Sequence, residues 1–416
     1  MPPIVLAACS TDGYVRERAL AAPAMGTDPR LLPVLVIRTA DWVVPVRAQA
    51  RAMLPGALAS AGTEELLLAV GVALEMRDWR RGDFAVAAVT QALRTAPDQT
   101  LAAARRTTGL RTRRLGYEIW LDGGHADLDA LLAAVLAERD IVCRSRSTDA
   151  AVDLAVRAGR ENTLRRLLAC RSARVRAAAL TGLVKLGQPE AGAEFLSDSS
   201  PMVRATAQWA TRRANREPAD HYRAALLGAT AAPAVRGLVA GLGECGNAGD
   251  LDLLMPFLHD DRARVRAETV RAIRRLDGEL TQLTALLTDP APIVVRAVSR
   301  ALRTQPDLVP ADQLWELLCD EGRAQHVRLG VFNQLIARDA WTRINADLTL
   351  ITTADAQLGT RARADLATWL AHDAATTYAA PTDHDREQLT SLIDAAAPIL
   401  GPHATKKVRW YLSSTR

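Results

Sequence analysis

The stretch Asp260-Asp261-Arg262-Ala263-Arg264-Val265-Arg266-Ala267-Glu268-Thr269-Val270-Arg271-Ala272-Ile273-Arg274-Arg275-Leu276 decides the fold. An acidic pair opens it, and Val265, Thr269, Ala272, Ile273 and Leu276 then fall at i, i+4, i+7, i+8 and i+11. That spacing is one stripe of an α-helix, with the charged residues on the other faces. Thirty residues on, Asp289-Pro290-Ala291-Pro292-Ile293-Val294-Val295-Arg296-Ala297-Val298-Ser299 repeats the theme.

Val-Arg followed by a small or β-branched residue three positions later recurs along the chain. It stands at Val15-Arg16, Val46-Arg47, Val175-Arg176, Val203-Arg204, Val235-Arg236, Val265-Arg266, Val295-Arg296 and Val327-Arg328. The last six copies are 28, 32, 30, 30 and 32 residues apart, and the first two are 31 apart. A fixed period of this length is the mark of a stacked repeat architecture. Each copy follows a turn signal of Asp, Ser or Pro, as in Asp198-Ser199-Ser200-Pro201. Ahead of the turn lies a short leucine-rich segment such as Leu280, Leu283, Leu286 and Leu287. Each period therefore reads as helix, turn, helix and a loop often marked by glycine, as at Gly187, Gly243 and Gly278.

The Asp-turn-Val-Arg-x-x-Ala pattern and its period resemble the HEAT repeat family, specifically the short repeats first described in phycobilin lyases. The resemblance is clear over residues 160–340 and again over 10–60. It implies an all-α fold: a right-handed α-α superhelical solenoid of about 13 HEAT-like helical pairs. It further implies that the helix opening with Val-Arg lines a concave face. Residues 61–160 read as degenerate repeats, with stripes at Leu66, Leu67, Val70, Leu74 and at Leu128, Leu131, Leu132, Val135. Arg113 and Arg144 keep the roughly 31-residue spacing back from Arg176. The chain then divides into N-terminal repeats over 1–60, degenerate repeats over 61–160, regular repeats over 161–340, and C-terminal repeats with a cap over 341–416. These are read as one continuous solenoid, with helices expected at 359–371, 384–397 and 403–412.

Composition agrees. The chain has 416 residues, 49% of them hydrophobic but only 4% aromatic. Alanine, leucine and arginine dominate, and all three favour helix. Five cysteines, Cys9, Cys143, Cys170, Cys245 and Cys319, form no CxxC pair, so neither a zinc site nor a disulfide framework is indicated. A cytoplasmic setting follows. Leu6-Ala7-Ala8-Cys9 has the look of a lipoprotein cleavage site, but it lacks a basic n-region and a long enough apolar run. No membrane span is expected.

The chemistry-bearing motifs are few. Gly241-Leu242-Gly243-Glu244-Cys245-Gly246 matches GxGxxG, but a helix precedes it where a dinucleotide fold needs a strand. Its glycines are read as a helix C-cap and loop. His384, between Asp383 and Asp385, reads as a solvated turn. No catalytic set, metal site or cofactor site is assigned, and enzymatic activity is not expected. The recurrent arginine is read as structural, pairing with the aspartate of its own turn: Asp41 with Arg47, Asp198 with Arg204, Asp260 or Asp261 with Arg266, and Asp289 with Arg296.

Two surfaces remain for function. Residues 105–176 carry fifteen basic and nine acidic side chains, while the net charge of the whole chain is +5. This block includes Arg105, Arg106, Arg111, Arg113, Arg114, Arg144, Arg146 and Arg174, with Arg165, Arg166 and Arg171. It is either a solvated face or a site for an anionic partner such as nucleic-acid phosphate. The second surface is the inner-helix row Thr181, Gln208, Trp209, Arg212, Arg271, Arg274, Arg300 and Arg303. There Trp209 is open to binding or packing, and Trp315 and Trp369 fit packing between helices about as well as a binding role. The leading expectation is a non-enzymatic scaffold or adaptor with a protein or peptide partner along the concave face. The alternative is a nucleic-acid-binding protein, since HEAT-like glycosylases of alkylated bases cradle DNA with this fold, although their aromatic and aspartate positions find no match here. A lyase like those that named the repeat is the third possibility.

Overall fold

The computed structural model describes residues 3–124, 126–228, 234–353 and 355–414. Among them there is no β-strand; helical elements follow one another from end to end. The chain divides into two compact units, Met1–Ala191 and Gly192–Arg416.

The first unit stacks six helical pairs. They are α1 (Pro3–Ala8) with α2 (Gly13–Leu20), and the short α3 (Ala24–Thr27) and α4 (Leu32–Arg38) with α5 (Val44–Ser60). Next come α6 (Thr63–Glu75) with α7 (Asp83–Arg94), and α8 (Asp98–Arg106) with α9 (Leu110–Asp122). The last two are α10 (Leu128–Ala137) with α11 (Ile141–Arg157), and α12 (Glu161–Leu168) with α13 (Ala173–Lys185). From Pro189 onward the first helix of a pair is often only 3-10 turns: Pro189–Phe195 before α14 (Pro201–Arg213), and Thr281–Thr288 before α19. Between them stand α15 (Pro218–Leu227) with α16 (Val235–Cys245), and α17 (Leu251–Leu254), extended by the 3-10 turn Met255–His259, with α18 (Ala263–Arg275). Then follow α19 (Pro292–Leu302), α20 (Ala311–Cys319) with α21 (Gln325–Leu335), and α22 (Ala340–Ile351) with α23 (Ala356–His372). The closing α24 (Asp383–Ser414) breaks into two at Gly401, which sits at φ 78°. Among the described residues that makes six helical pairs in the first unit and about seven from Pro189 on, a HEAT-like α-α repeat architecture in each.

The leucine-rich segment 280–287 is thus a 3-10 stretch rather than the expected α-helix, yet it still buries Leu283 and Leu287 against α19. On the second helices the apolar stripe faces inward as its spacing demands: Val265, Thr269, Ala272 and Ile273 are all at most 2% exposed.

The GxGxxG segment departs from its sequence reading. Gly241 and Gly243 lie inside α16, and only Gly246 caps it. A Cβ on Gly241 would stand 2.1 Å from the Tyr222 ring, and one on Gly243 would stand 2.5 Å from Ala272 Cβ. These glycines let neighbouring helices approach; they do not form a loop. His384 likewise sits in the first turn of α24, exposed, rather than in a loop.

Candidate functional site

The recurrent arginine defines the frame on which any site is built. Its Nη1 donates to the carbonyl six residues earlier in seven copies: Arg16, Arg47, Arg113, Arg144, Arg176, Arg204 and Arg266, at 2.7–3.5 Å. The turn aspartates accept the N–H two residues on, Asp41 from Val43, Asp198 from Ser200, Asp260 from Arg262 and Asp289 from Ala291. This local Asx geometry leads into α5, α14, α18 and α19.

The carboxylate partners are not those expected within one turn. Arg16 binds Asp41 through Nε and Nη2, both at 2.9 Å, and Arg266 binds Asp289 at 2.8 and 2.9 Å. Each aspartate belongs to the turn of the following repeat. Arg114, one residue beyond the repeat arginine Arg113, also forks onto a turn aspartate of the following repeat, Asp140. Arg47 takes the backbone carbonyl of Asp41 instead of its carboxylate. Arg204 grips Glu244, the acid within the GxGxxG segment, at the far end of α16. Arg296 is exposed and forms no ion pair among the described residues. The physical reason is reach: the fork that bonds its own turn's carbonyl presents its other edge to the neighbouring repeat, where a carboxylate completes a bidentate pair. Burial opposes the charge on Asp41, but the Arg16 and Val43 donors and Arg38 outweigh it and hold the carboxyl below its ordinary value. Asp140 is also lowered, chiefly by Arg114.

Of the inner-helix row, Thr181 on α13 is half-buried, its hydroxyl bonded to the Ala177 carbonyl. On α14, Gln208 is buried and donates to Tyr222 Oη and Glu244 Oε2, whereas Trp209 is 41% exposed. Arg212 is exposed and 4.0 Å from Glu217. On α18, Arg271 pairs with Glu268 at 2.9 Å, and Arg274 is exposed. On α19, Arg300 and Arg303 are exposed, with no ion pair among the described residues.

In the basic block most guanidinium groups are engaged. Arg111 meets Glu75, Arg146 meets Glu118 and Arg174 meets Asp149. Arg113 and Arg144 bond turn carbonyls, and Arg114 holds Asp140. Arg105 lies over the Trp120 ring at 4.0 Å, and burial lowers its pKa. Outside the pairs just given, Arg165 bridges to Glu161. Arg106 is exposed, without such a contact among the described residues.

Two clefts were not foreseen. One, of about 180 Å³, runs between α19 and α21 and is lined by Arg296, Arg300, Arg303 and His326. The other, about 390 Å³, runs between α21 and α23 and reaches Arg361. His326, Leu329 and Asn333 line both, so a single ridge of α21 separates them. Among the described residues no carboxylate lines either cleft. The i, i+4, i+7 spacing of Arg296, Arg300 and Arg303 was a legible signal. Among the described residues no group of three or more His, Cys, Asp or Glu could hold a metal, and no helix is long and apolar enough to cross a membrane.

No family model matches the chain, and no curated protein does. Similar solved structures include two karyopherins. Free Kap121p is 13% identical, with a TM-score of 0.36, over 99% of this chain and 54% of its own. Kap121p bound to RanGTP is 14% identical at a TM-score of 0.36, again covering 99% and 54%. Kap95p, studied with RanGDP, is 11% identical at 0.38, covering 99% and 68%. The chain thus spans about half the length of the Kap121p chains. At that level of likeness nothing about partner or function passes to this chain.

One further group escaped the sequence reading. Asp347 on α22 is fully buried, and neither carboxyl oxygen has a hydrogen-bond partner among the described residues. Burial, with Asp365 nearby, pushes its pKa up to about 9 against the opposing pull of Arg343 and Arg361.

Proposed function

We propose that the chain is a non-enzymatic scaffold of short HEAT-like repeats, whose second-helix face holds a protein or peptide partner. The observation that supports this is a division of labour among side chains of the Gly192–Arg416 unit. The repeat arginines Arg204, Arg266 and Arg328 are buried or nearly so and are spent on carbonyls and carboxylates. On the same set of helices, Trp209 stands out beside Arg212. A large aromatic next to an arginine is the composition of an interface anchor, and neither residue is needed by the frame. The concave face and the single solenoid of 1–60, 61–160, 161–340 and 341–416 belong to the same proposal.

The test is affinity capture from native lysate with wild-type protein and with Trp209→Ala, each with and without nuclease. A partner retained after nuclease and lost with Trp209→Ala supports the scaffold. Partners that vanish with nuclease move the function to nucleic acid and to the block around Arg105 and Arg106. A set indifferent to both treatments removes Trp209 from the interface.

A further inference from the structure

We infer that the paired clefts of α19, α21 and α23 form a docking groove for an acidic peptide segment; this rests on the protein-binding reading and names the partner's chemistry. Charge complementarity carries it. Arg296, Arg300, Arg303 and Arg361 line the two clefts, no carboxylate does, and none of the four has an ion pair among the described residues. Arginines of the same unit hold carboxylates where one is in reach, as at Arg266 with Asp289, Arg271 with Glu268 and Arg343 with Asp365. Arg296, Arg300 and Arg303 recur at i, i+4 and i+7 on one exposed face, and guanidinium is the group that binds carboxylates in fixed two-point geometry.

The dimensions suit an extended chain. Arg296 to Arg303 spans seven residues of helix, about 10 Å. Crossing from α19 over α21 to α23 takes two interhelix steps of about 8–10 Å each. An extended peptide rises about 3.3 Å per residue, so roughly six residues bridge the groove and about eight fill it. Leu329, 36% exposed on the dividing ridge, gives an apolar contact midway. The ridge itself is set by close packing: a Cβ on Gly330 would stand 2.4 Å from Val295 Cγ1, and Ser299 Oγ donates to the Gly330 carbonyl. The groove floor is thus close-packed, while its arginines are exposed.

The experiment uses the full chain and fluorescein-labelled octapeptides of alternating Glu and Ala, Gln and Ala, or Lys and Ala, followed by fluorescence anisotropy at about 50 mM salt. The Glu peptide should bind at least tenfold more tightly than the Gln peptide, and weaken as salt rises. Arg300→Glu/Arg303→Glu should lose the Glu peptide by at least tenfold and gain the Lys peptide. That swap is a response that a merely structural role for the arginines would not give. Arg300→Gln/Arg303→Gln, with unchanged circular dichroism, provides the same loss without the reversed charge. Equal binding of Glu and Gln peptides, or equal binding by wild type and both variants, overturns the inference. So does a labelled oligonucleotide that displaces the Glu peptide and is itself lost in the variants. A captured partner that depends on Trp209 but ignores Arg300 and Arg303 sinks the acidic groove and leaves the scaffold standing. Capture of no partner sinks the scaffold itself.

Discussion

Arg266 and Arg296 occupy the same place in successive Val-Arg copies, yet the fold treats them oppositely, and Arg266→Met beside Arg296→Met measures the difference. Arg266 donates two bonds to Asp289 at 2.8 and 2.9 Å and one to the Asp260 carbonyl at 2.7 Å. Its side chain is 13% exposed and that of Asp289 is 4% exposed. Methionine keeps much of the stem's packing but leaves Asp289 buried with the Ala291 N–H as a remaining donor. Breaking a buried pair from one side costs roughly 3–5 kcal/mol. The residual exposure of Arg266 and the retained backbone donor put the expected loss near the low end, about 3 kcal/mol. Arg296 is exposed and unpaired among the described residues, so its replacement should change stability by about 0.5 kcal/mol or less. Urea denaturation followed by circular dichroism at neutral pH separates the two. With m of about 3 kcal/mol/M, Arg266→Met should lower the midpoint by about 1 M and Arg296→Met by under 0.2 M. Arg266→Met/Asp289→Asn should recover part of the loss, since the uncompensated charge is then gone. Equal midpoints for the two single variants, or strict additivity in the double variant, would refute the inter-repeat pairing.

Three other predictions follow from particular residues. Asp347 has a folded pKa raised from 3.8 to about 9, so between those values the native state holds a proton that the unfolded chain has released, and stability falls as pH rises. Asp347→Asn should therefore flatten the pH dependence of thermal unfolding, with a gain of up to about 4 kcal/mol at pH 7 that vanishes near pH 4; a pH-independent gain would contradict a neutral carboxyl. Gly330→Ala should destabilise by roughly 1–3 kcal/mol because its Cβ meets Val295, whereas Gly56→Ala, in α5 with nothing within 4 Å, should stabilise by about 0.5–1 kcal/mol in the same urea assay. Burial and the adjacent Asp140 push the Cys143 thiol up to about 12, so at pH 8 an aromatic disulfide reagent should modify the exposed Cys9 and Cys319 well before it; early loss of Cys143 would show that α11 opens.

The amino-acid sequence by itself determined the helical repeat, its period and the start of the second helix in the clear Val-Arg copies. Those features rest on contacts between residues close along the chain: the Asx turn spans two residues, the arginine-to-carbonyl bond spans six, and the apolar stripe repeats every turn. A single copy of the motif contains all three, so Asp260 through Leu276 could be read alone. Even the degenerate stretch kept the signal at Arg113 and Arg144, each of which still bonds the carbonyl six residues back. Tertiary structure decided which partner each arginine takes. Arg16 to Asp41 spans 25 residues, Arg266 to Asp289 spans 23, and Arg204 to Glu244 spans 40. No local pattern ranks Glu244, on a helix end, above the turn aspartate Asp198. Gly241 and Gly243 looked like a loop because glycine ends helices; only the position of Tyr222 and Ala272 shows that they clear space for packing. Burial of Asp347 and exposure of Arg296 are likewise properties of neighbouring helices, since one repeat's surface becomes core or solvent only when the next repeat is laid against it.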